Sequence, residues 1–490
     1  MPTTAPPSSA APRTGLAGTI DRYFLISERG STIAREVRGG IVTFVAMSYI
    51  IVLNPIILGG TDATGAFLGG GDAASAQVRI AATTALIAGL LSIAMGAISK
   101  MPIAMAAGLG LNAVVAYGIA LMPEMTWADA MGIVLLEGVL ILALVLTGVR
   151  QAVFNAVPAE LKVSISVGIG LFIAFIGVVN AGFVRTGAGT PVELGIEGSI
   201  ASWPLVVFVV GLVTSIVLWI RRTRGALLIS IVATTVLAFL IETFGHVQGD
   251  GDDATGWASN VPVWPGSPVA TPDFSLLGQV SVFGSFEKLT FITVVLLVFT
   301  LLLADFFDTM GTMVAIGGAA GLLDEKGNPP RTKQILVVDS FGAIVGGAGS
   351  VSSNTAYIES SAGVADGART GLASVVTGVA FLLSTFLSPL VLMVPAEAAA
   401  PALVVVGFLM MTQITGIDWK NLEVAIPAFL VIALMPFTYS ITVGLGAGFV
   451  MFVLIKVLLG KGRQVHPLMW VAAVMFVAYF ARGPIQALVG

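Results

Sequence analysis

Apolar runs of about twenty residues, the length that crosses a bilayer as one helix, recur along almost the whole chain. They stand near 40–59, 79–99, 102–121, 129–149, 161–180, 203–220, 225–244, 289–317, 333–349, 351–369, 371–394, 398–416, 423–438 and 440–459. Lipid offers no water to backbone N–H and C=O groups, so a chain patterned this way folds as a bundle of helices that satisfy them internally. The predicted fold class is all-α polytopic membrane protein with about fourteen transmembrane segments. A final apolar stretch, 467–481, is short enough to lie on the surface. The chain is 10% charged, against roughly 25% in a soluble domain, which excludes an ordinary soluble enzyme. It has no cysteine, hence no disulfide framework, thiolate metal site or cysteine nucleophile. Its two histidines, His246 and His466, fall outside the apolar runs, so neither a metal site nor a catalytic imidazole is expected in the membrane. Residues 1–18 are rich in Pro, Ser and Ala and read as disordered, not as a signal peptide.

Basic residues fix the orientation. With the N-terminus cytoplasmic, 19 of the 23 Lys and Arg residues fall in inside segments. They include Arg13, Arg22, Arg29, Arg35 and Arg38 before the first crossing, Arg221, Arg222 and Arg224 after the sixth, and Lys326, Arg331 and Lys333 after the eighth. Arg79, Arg185 and Lys288 fall outside, and Arg482 belongs to the tail. The opposite orientation reverses this ratio, so the positive-inside rule places both termini in the cytoplasm. The long outside loop, 245–288, carries Asp250, Asp252, Asp253 and Asp273 and reads as a solvated connector without chemistry.

Two crossings differ from the rest. The third, PIAMAAGLGLNAVVAYGIA, and the tenth, GSVSSNTAYIESSAGVADGARTG, are dense in Gly, Ala, Ser and Asn. Gly costs about 1 kcal/mol per helical position relative to Ala, so neither is a good continuous helix. They hold corresponding places in two halves of seven crossings, and an odd number per half forces opposite orientations. Paired interrupted segments point to a midplane site in an inverted-repeat transporter.

Carboxylates sit beside these interruptions. An acid near the bilayer centre costs at least ~2.5–3.5 kcal/mol on insertion scales and so faces a protein interior or an aqueous cavity. Asp308 lies in LLVFTLLLADFFDTMGTMVAIGG, and Glu359 lies in SVSSNTAYIESSAGVA. Asp305, Asp308 and Thr312, spaced i, i+3, i+7, share one helical face. Asn354, Thr355, Glu359 and Ser360 cluster around the tenth-segment break, and the third segment offers Asn112 with the backbone at Gly108 and Gly110. Carboxylates accept ring N–H bonds, an amide does both, and exposed backbone N–H groups bind carbonyl oxygens. That combination suits a planar heterocycle with amide-like edges. No Lys or Arg is expected near these positions, which disfavours an anionic substrate. Burial penalises the charged form of an acid, making such groups candidate proton carriers. Asp305 is divided between a local structural bond and proton coupling, Asp339 reads as a structural hydrogen-bond anchor more than a substrate ligand, and Glu137 reads as buried and isolated, with a proton-linked or a packing role. Asn54-Pro55 is expected to end the first helix. The GLG at 108–110 has no expected strand-loop-helix context and no P-loop lysine and is set aside as a phosphate loop.

At these residues the chain resembles the AzgA-like purine (adenine, guanine, hypoxanthine) permease branch of the nucleobase–cation symporter and nucleobase–ascorbate transporter superfamily. The resemblance rests on DRYFLISERGSTIAREVRGGIVTFVAMSYIIVLNP (21–55), AAGLGLNA (106–113), DFFDTMGT (305–312), NTAYIESSAGVADGARTGL (354–372) and IPAFLVIALMPFTYSI (426–441). Ala356 stands where that branch often carries a small polar residue. The resemblance implies a 7+7 inverted repeat with short extended pieces in segments 3 and 10. It divides the chain into a cytoplasmic segment (1–38), the first stretch of a core domain (39–149), the first stretch of a gate domain (150–244) and an extracellular loop (245–288). The second core stretch (289–394), the second gate stretch (395–460) and a C-terminal tail (461–490) follow. Asp308, Glu359, Thr312, Asn112, Gly108, Thr355 and Ser360 would bind the base, with Asp308, Glu359 and Asp305 coupling a proton. No cofactor is expected beyond the coupling ion, a proton or alternatively Na+. The expected partners are a purine nucleobase, the lipid bilayer and a second copy as a homodimer, with no nucleic acid. The implied function is proton-driven import through the plasma (inner) membrane by an elevator-like core movement. Alternatives are a bicarbonate or sulfate carrier of the same architecture, an uncoupled facilitator, an integral-membrane enzyme and a non-catalytic structural membrane protein.

Overall fold

The structure, a computed structural model, describes residues 15–148, 156–187, 189–249, 255–325 and 327–481. The expected disorder of residues 1–14, and the assignments of Arg13, Asp250, Asp252, Asp253, Lys326 and Arg482, lie outside the described residues. Among those described, ten helices are long and apolar enough to cross a membrane, and three shorter apolar helices accompany them. In chain order the first elements are α1 (Gly15–Phe24), α2 (Ile33–Met47), α3 (Ile50–Leu58) and α4 (Ala73–Ser99). Then come β1 (Met105–Ala107), α5 (Leu109–Ala113) running into a π-helical turn (Val114–Ile119), α6 (Trp127–Thr147) and α7 (Ala159–Asn180). A surface hairpin, β2 (Val184–Arg185) with β3 (Glu193–Leu194), leads to α8 (Trp203–Ile220), α9 (Ala226–Gly245) and the short α10 (Gly284–Lys288). The second half holds α11 (Phe291–Ala319), α12 (Thr332–Ala348), β4 (Asn354–Ala356), α13 (Ser360–Ala365), α14 (Gly371–Ser384), α15 (Ala396–Met411), α16 (Leu422–Phe437), α17 (Ile441–Leu458) and α18 (Pro467–Phe480).

The helices pack in two sets. In one, α14 lies along α4 and α2, and α6 packs against α12 and α11; in the other, α7 packs against α15 and α16, with α8, α9 and α17 around them. Glycine makes the tightest crossings possible. A Cβ on Gly371 would stand 1.9 Å from the Gly96 carbonyl oxygen, and one on Gly407 would stand 2.4 Å from that of Gly170. Larger side chains would separate these backbones.

The two segments marked as interrupted both break into strand and short helix. β1 and β4 pair antiparallel with Met105 opposite Ala356, Ala106 opposite Thr355 and Ala107 opposite Asn354. All six residues are fully buried. The pairing continues past the strands, with the Gly108 N–H donating to the Ser353 carbonyl (2.9 Å) and the Tyr357 N–H to the Ala104 carbonyl (3.0 Å). Non-helical backbone at this depth is stable only because each half supplies the other's partners.

Three expectations change. Residues 15–18 are helical, not disordered, because Leu16, Ile20, Tyr23 and Phe24 form one apolar stripe along α1 and the Tyr23 hydroxyl donates to the Ala97 carbonyl (3.1 Å). The first helix starts at Ile33, capped by the Thr32 hydroxyl, and its break falls at Ser48–Tyr49. Pro55 does not end it but sits inside α3, where the buried Asn54 amide donates to Thr84 (2.8 Å) and the Val351 carbonyl (3.4 Å). The 245–288 loop is not merely solvated where it is described. Trp257 is fully buried, its indole N–H donates to Glu242 (2.7 Å), and the Ala258 N–H donates to Glu397 (2.8 Å). The short apolar stretch at the end is α18, which docks on α17 with Met469 and Phe476 buried.

Candidate substrate site

Two interrupted segments, one broken helix and one long acidic helix meet around a cavity of about 100 Å³. α11 contributes Ala304, Asp308 and Thr312; the spacing i, i+4, i+8 aligns them on the face turned inward. Gly108 to Leu111 bring the start of α5, and Ala356 to Glu359 bring the turn between β4 and α13. First-turn N–H groups have no intrahelical partner, so the start of α5 presents donors. Tyr49, at the break between α2 and α3, closes one side and donates its hydroxyl to Glu359. Tyr357 donates to the Ala107 carbonyl (2.6 Å), tying the tenth-segment turn to the third-segment strand. The opposite wall comes from the other helix set: Ser166 and Ile169 of α7, Val406 and Met410 of α15.

Asp308 and Glu359 are half-buried, in contrast to the fully buried Asp305 and Glu137. Among the described residues no lysine or arginine lines the cavity. A second cavity, about 380 Å³ and bounded by residues such as Leu136, Val298, Phe449 and Met475, has no polar side chain among its lining residues. It offers nothing to orient a polar ligand, so the smaller cavity is the candidate site. Among the described residues no group of His, Cys, Asp and Glu is arranged to hold a metal ion.

Of the residues singled out from sequence, the structure brings Asp308, Glu359, Thr312, Gly108 and Gly110 together on the cavity wall. Asn112, Thr355 and Ser360 lie behind it, fully buried and bonded to protein. The Asn112 amide donates to Asn54 (2.6 Å), Ser360 accepts from the Ala104 N–H (3.0 Å), and the Thr355 hydroxyl meets that of Thr309 (2.6 Å). Ser360 and Thr355 thus help hold the two strands in place, while Asn112 is tied to α3 and its carbonyl oxygen has no partner. Asp339 accepts from Thr309 (2.8 Å), from Thr355 (3.3 Å) and from the Ala356 N–H (3.1 Å), so it anchors β4. Asp305 caps nothing, and Glu137 is not isolated: their carboxyls turn toward each other across α6 and α11. The GLG at 108–110 does follow a strand and open a helix, a context not expected from sequence, though it lacks the P-loop lysine. Tyr49, Tyr357, Ser166, Ile169, Val406 and Met410 were not singled out. Tyr357 was signalled by its place two residues before Glu359; the others come from distant crossings whose meeting no local pattern records.

A fold of paired interrupted segments around a polar, membrane-buried cavity defines a multi-pass membrane permease. The family model described as Permease family (Xan_ur_permease) matches residues 34–447, and the chain belongs to that family. It is 36% identical over 463 residues to the guanine/hypoxanthine permease PbuG of Bacillus subtilis (strain 168), covering 94% of this chain and 98% of that protein. It is equally 36% identical over 463 residues to the adenine permease AdeP of Escherichia coli (strain K12), covering 94% and 95%. Among solved structures, the transmembrane domain of the cyanobacterium bicarbonate transporter BicA superimposes with a TM-score of 0.55 over 84% of this chain and 96% of that one, at 17% identity. That likeness concerns the fold.

Proposed function

We propose that this permease imports purine nucleobases (hypoxanthine, guanine or adenine) by proton symport. The observation that carries the reading is the pairing of Asp308 and Glu359 on one cavity wall with peptide edges of two interrupted segments and no cation beside them. Carboxylates take the base's ring N–H groups, backbone N–H groups take its carbonyl or ring nitrogens, and Tyr49 orients Glu359. The relatives' names, guanine/hypoxanthine and adenine permease, point the same way. An anion carrier, suggested by the bicarbonate transporter of similar fold, would need positive charge where this site has acids.

The cavity wall divides between the two helix sets, which supports a core of crossings 1–4 and 8–11 moving against a gate of crossings 5–7 and 12–14, fourteen in all. The base is held chiefly by the core, through Asp308, Thr312, Glu359 and Gly108, with apolar gate residues Ile169, Val406 and Met410 covering it. Proton uptake from outside stabilises the loaded core, the core carries base and proton inward, and proton release inside frees the base. Both termini lie in the cytoplasm, the protein sits in the plasma (inner) membrane, and two copies pair as a homodimer.

The test is uptake of labelled hypoxanthine, guanine and adenine into proteoliposomes with and without an inward proton gradient. Gradient-driven accumulation supports the reading. Equilibration without accumulation removes the proton and leaves a facilitator. Sulfate or bicarbonate flux without base flux overturns the substrate assignment.

A further inference from the structure

Behind the cavity, one turn before Asp308 on α11, lies a second acidic centre. The Glu137 carboxyl of α6 and the Asp305 carboxyl of α11 face each other within hydrogen-bonding reach. Both residues are fully buried, and none of their four carboxyl oxygens meets an N–H or O–H donor in good geometry. The Ser353 hydroxyl stands by Glu137 and the Thr355 hydroxyl by Asp305, but Thr355 is already engaged with Thr309 and Asp339. Two ionised carboxylates are acceptors only and have nothing to exchange. Opposed at this range, away from water and without a counter-ion, they do not both stay charged.

We propose that Glu137 and Asp305 form a binding site for one proton, shared between their carboxyl oxygens and separate from the residues that touch the base. This rests on the proton-symport reading above and assigns that proton a place. The surrounding charges are consistent with it. Asp339 on α12 and Asp308 on α11 are the acids whose fields reach the pair. From α10, Lys288 is bound instead to Asp129 at the far end of α6 (2.6 Å). From α7, the Lys162 ammonium lies over the Phe307 ring at 5.7 Å. From α13, Glu359 is turned to Tyr49. From α17, Lys456 pairs with Glu423 (2.6 Å), and from α18, Tyr479 packs on Phe480. Among the described residues no cation compensates the pair, so a proton does.

The position also explains coupling. Asp305 reaches the cavity through Asp308, its neighbour one turn along α11, which gives a proton a short route in. Thr355, beside Asp305, is bonded to Asp339, and Asp339 holds the Ala356 N–H of the strand that forms the cavity wall. Loss of the proton sets two like charges against each other at the foot of this network and displaces α11, which carries Asp308, relative to β4, which leads into the turn that carries Glu359. A site within the proposed core also travels with the base.

The experiment compares full-length wild type with Glu137→Gln, a neutral mimic of the protonated acid, in proteoliposomes with labelled hypoxanthine. Two quantities are read: counterflow exchange, and accumulation driven by an inward proton gradient. The ratio of accumulation to exchange should fall about tenfold or more in the variant. An unchanged ratio overturns the proposal. Accumulation by the wild type on a sodium gradient alone, at equal pH across the membrane, overturns it in favour of a metal cation. Absence of any hypoxanthine flux in the wild type is a different result and defeats the purine reading itself. Should Glu137→Gln not fold, the wild type answers by infrared difference spectroscopy. A protonated-carboxyl band, shifted by deuteration and perturbed by hypoxanthine, is expected; its absence overturns the proposal.

Discussion

Replacing Asp308 by Asn and Glu359 by Gln tests the site most directly, because each change keeps the side chain's volume and removes only its charge and half of its acceptors. Among the described residues no hydrogen bond reaches Asp308 from another side chain, so its oxygens are available to a ligand. Glu359 keeps one oxygen engaged by the Tyr49 hydroxyl and has the other available. Each acid can therefore accept one charge-assisted bond from a ring N–H, worth about 1.5–3 kcal/mol. At 1.4 kcal/mol per factor of ten, each single variant should bind its base about 10- to 150-fold more weakly. Glu359→Gln should retain the bond from Tyr49, since an amide carbonyl accepts it equally well, and so should remain folded. Tyr49→Phe removes only the orienting bond and should cost about 0.5–1.5 kcal/mol. Calorimetric titration of hypoxanthine, guanine and adenine into purified protein measures all three variants, with a thermal melt confirming the fold. A Kd within about twofold of wild type for every base, in either Asp308→Asn or Glu359→Gln, would refute the assignment of that carboxylate.

Two further predictions concern the scaffold. Asp366, next to α13, is bridged to Arg38 and to Arg224, the latter 2.5 Å away in the turn between α8 and α9, so this cluster joins the two helix sets. Both arginines are largely exposed, which limits such a contact to about 0–1 kcal/mol; Arg224→Gln should therefore shift the conformational balance by up to about fivefold. The chain has no cysteine, so maleimide labelling of Ser166→Cys on the cavity wall reports the shift, and an unchanged rate counts against a state-dependent contact. Gly371→Ala drives a methyl into the Gly96 carbonyl, with backbone on both sides and no side chain to yield. It should destabilise by about 1–3 kcal/mol, whereas Gly311→Ala, which meets nothing within 4 Å, should melt at or above the wild-type temperature.

Hydropathy located the long helices well because a run that must satisfy its own backbone in lipid leaves a continuous local mark. The expected 203–220 coincides with Trp203–Ile220, and 289–317 is displaced by two residues from Phe291–Ala319. The interruptions at segments 3 and 10 were also legible, since Gly, Ser and Asn weaken a helix locally. Their pairing as β1 and β4 was not, because residues 105 and 356 are brought together only by the whole bundle. Tyr49 carries no mark either: it reads as one more aromatic in an apolar run, and its role arises from a break set by Ser48 and from Glu359 far along the chain. Glu137 looked isolated for the same reason, its partner standing on another helix.

The depth at which β1 and β4 meet has a consequence for selectivity. The backbone of the two strands is held by specific bonds: Ser92 bonds both the N–H and the carbonyl of Met105 (2.9 and 3.1 Å), Ser360 takes the Ala104 N–H, and Asp339 takes that of Ala356. Backbone bonded in this way is held in register, so the strand backbone does not re-form around one purine or another. Discrimination then falls to groups with spare capacity, namely Asp308, the second oxygen of Glu359, Thr312 and the opening N–H groups of α5. One donor or acceptor changed among these four is worth more than any apolar substitution on the gate side, because a buried polar group left unpaired loses its full desolvation energy, about 1–3 kcal/mol, while a methylene added to a pocket shifts affinity only modestly.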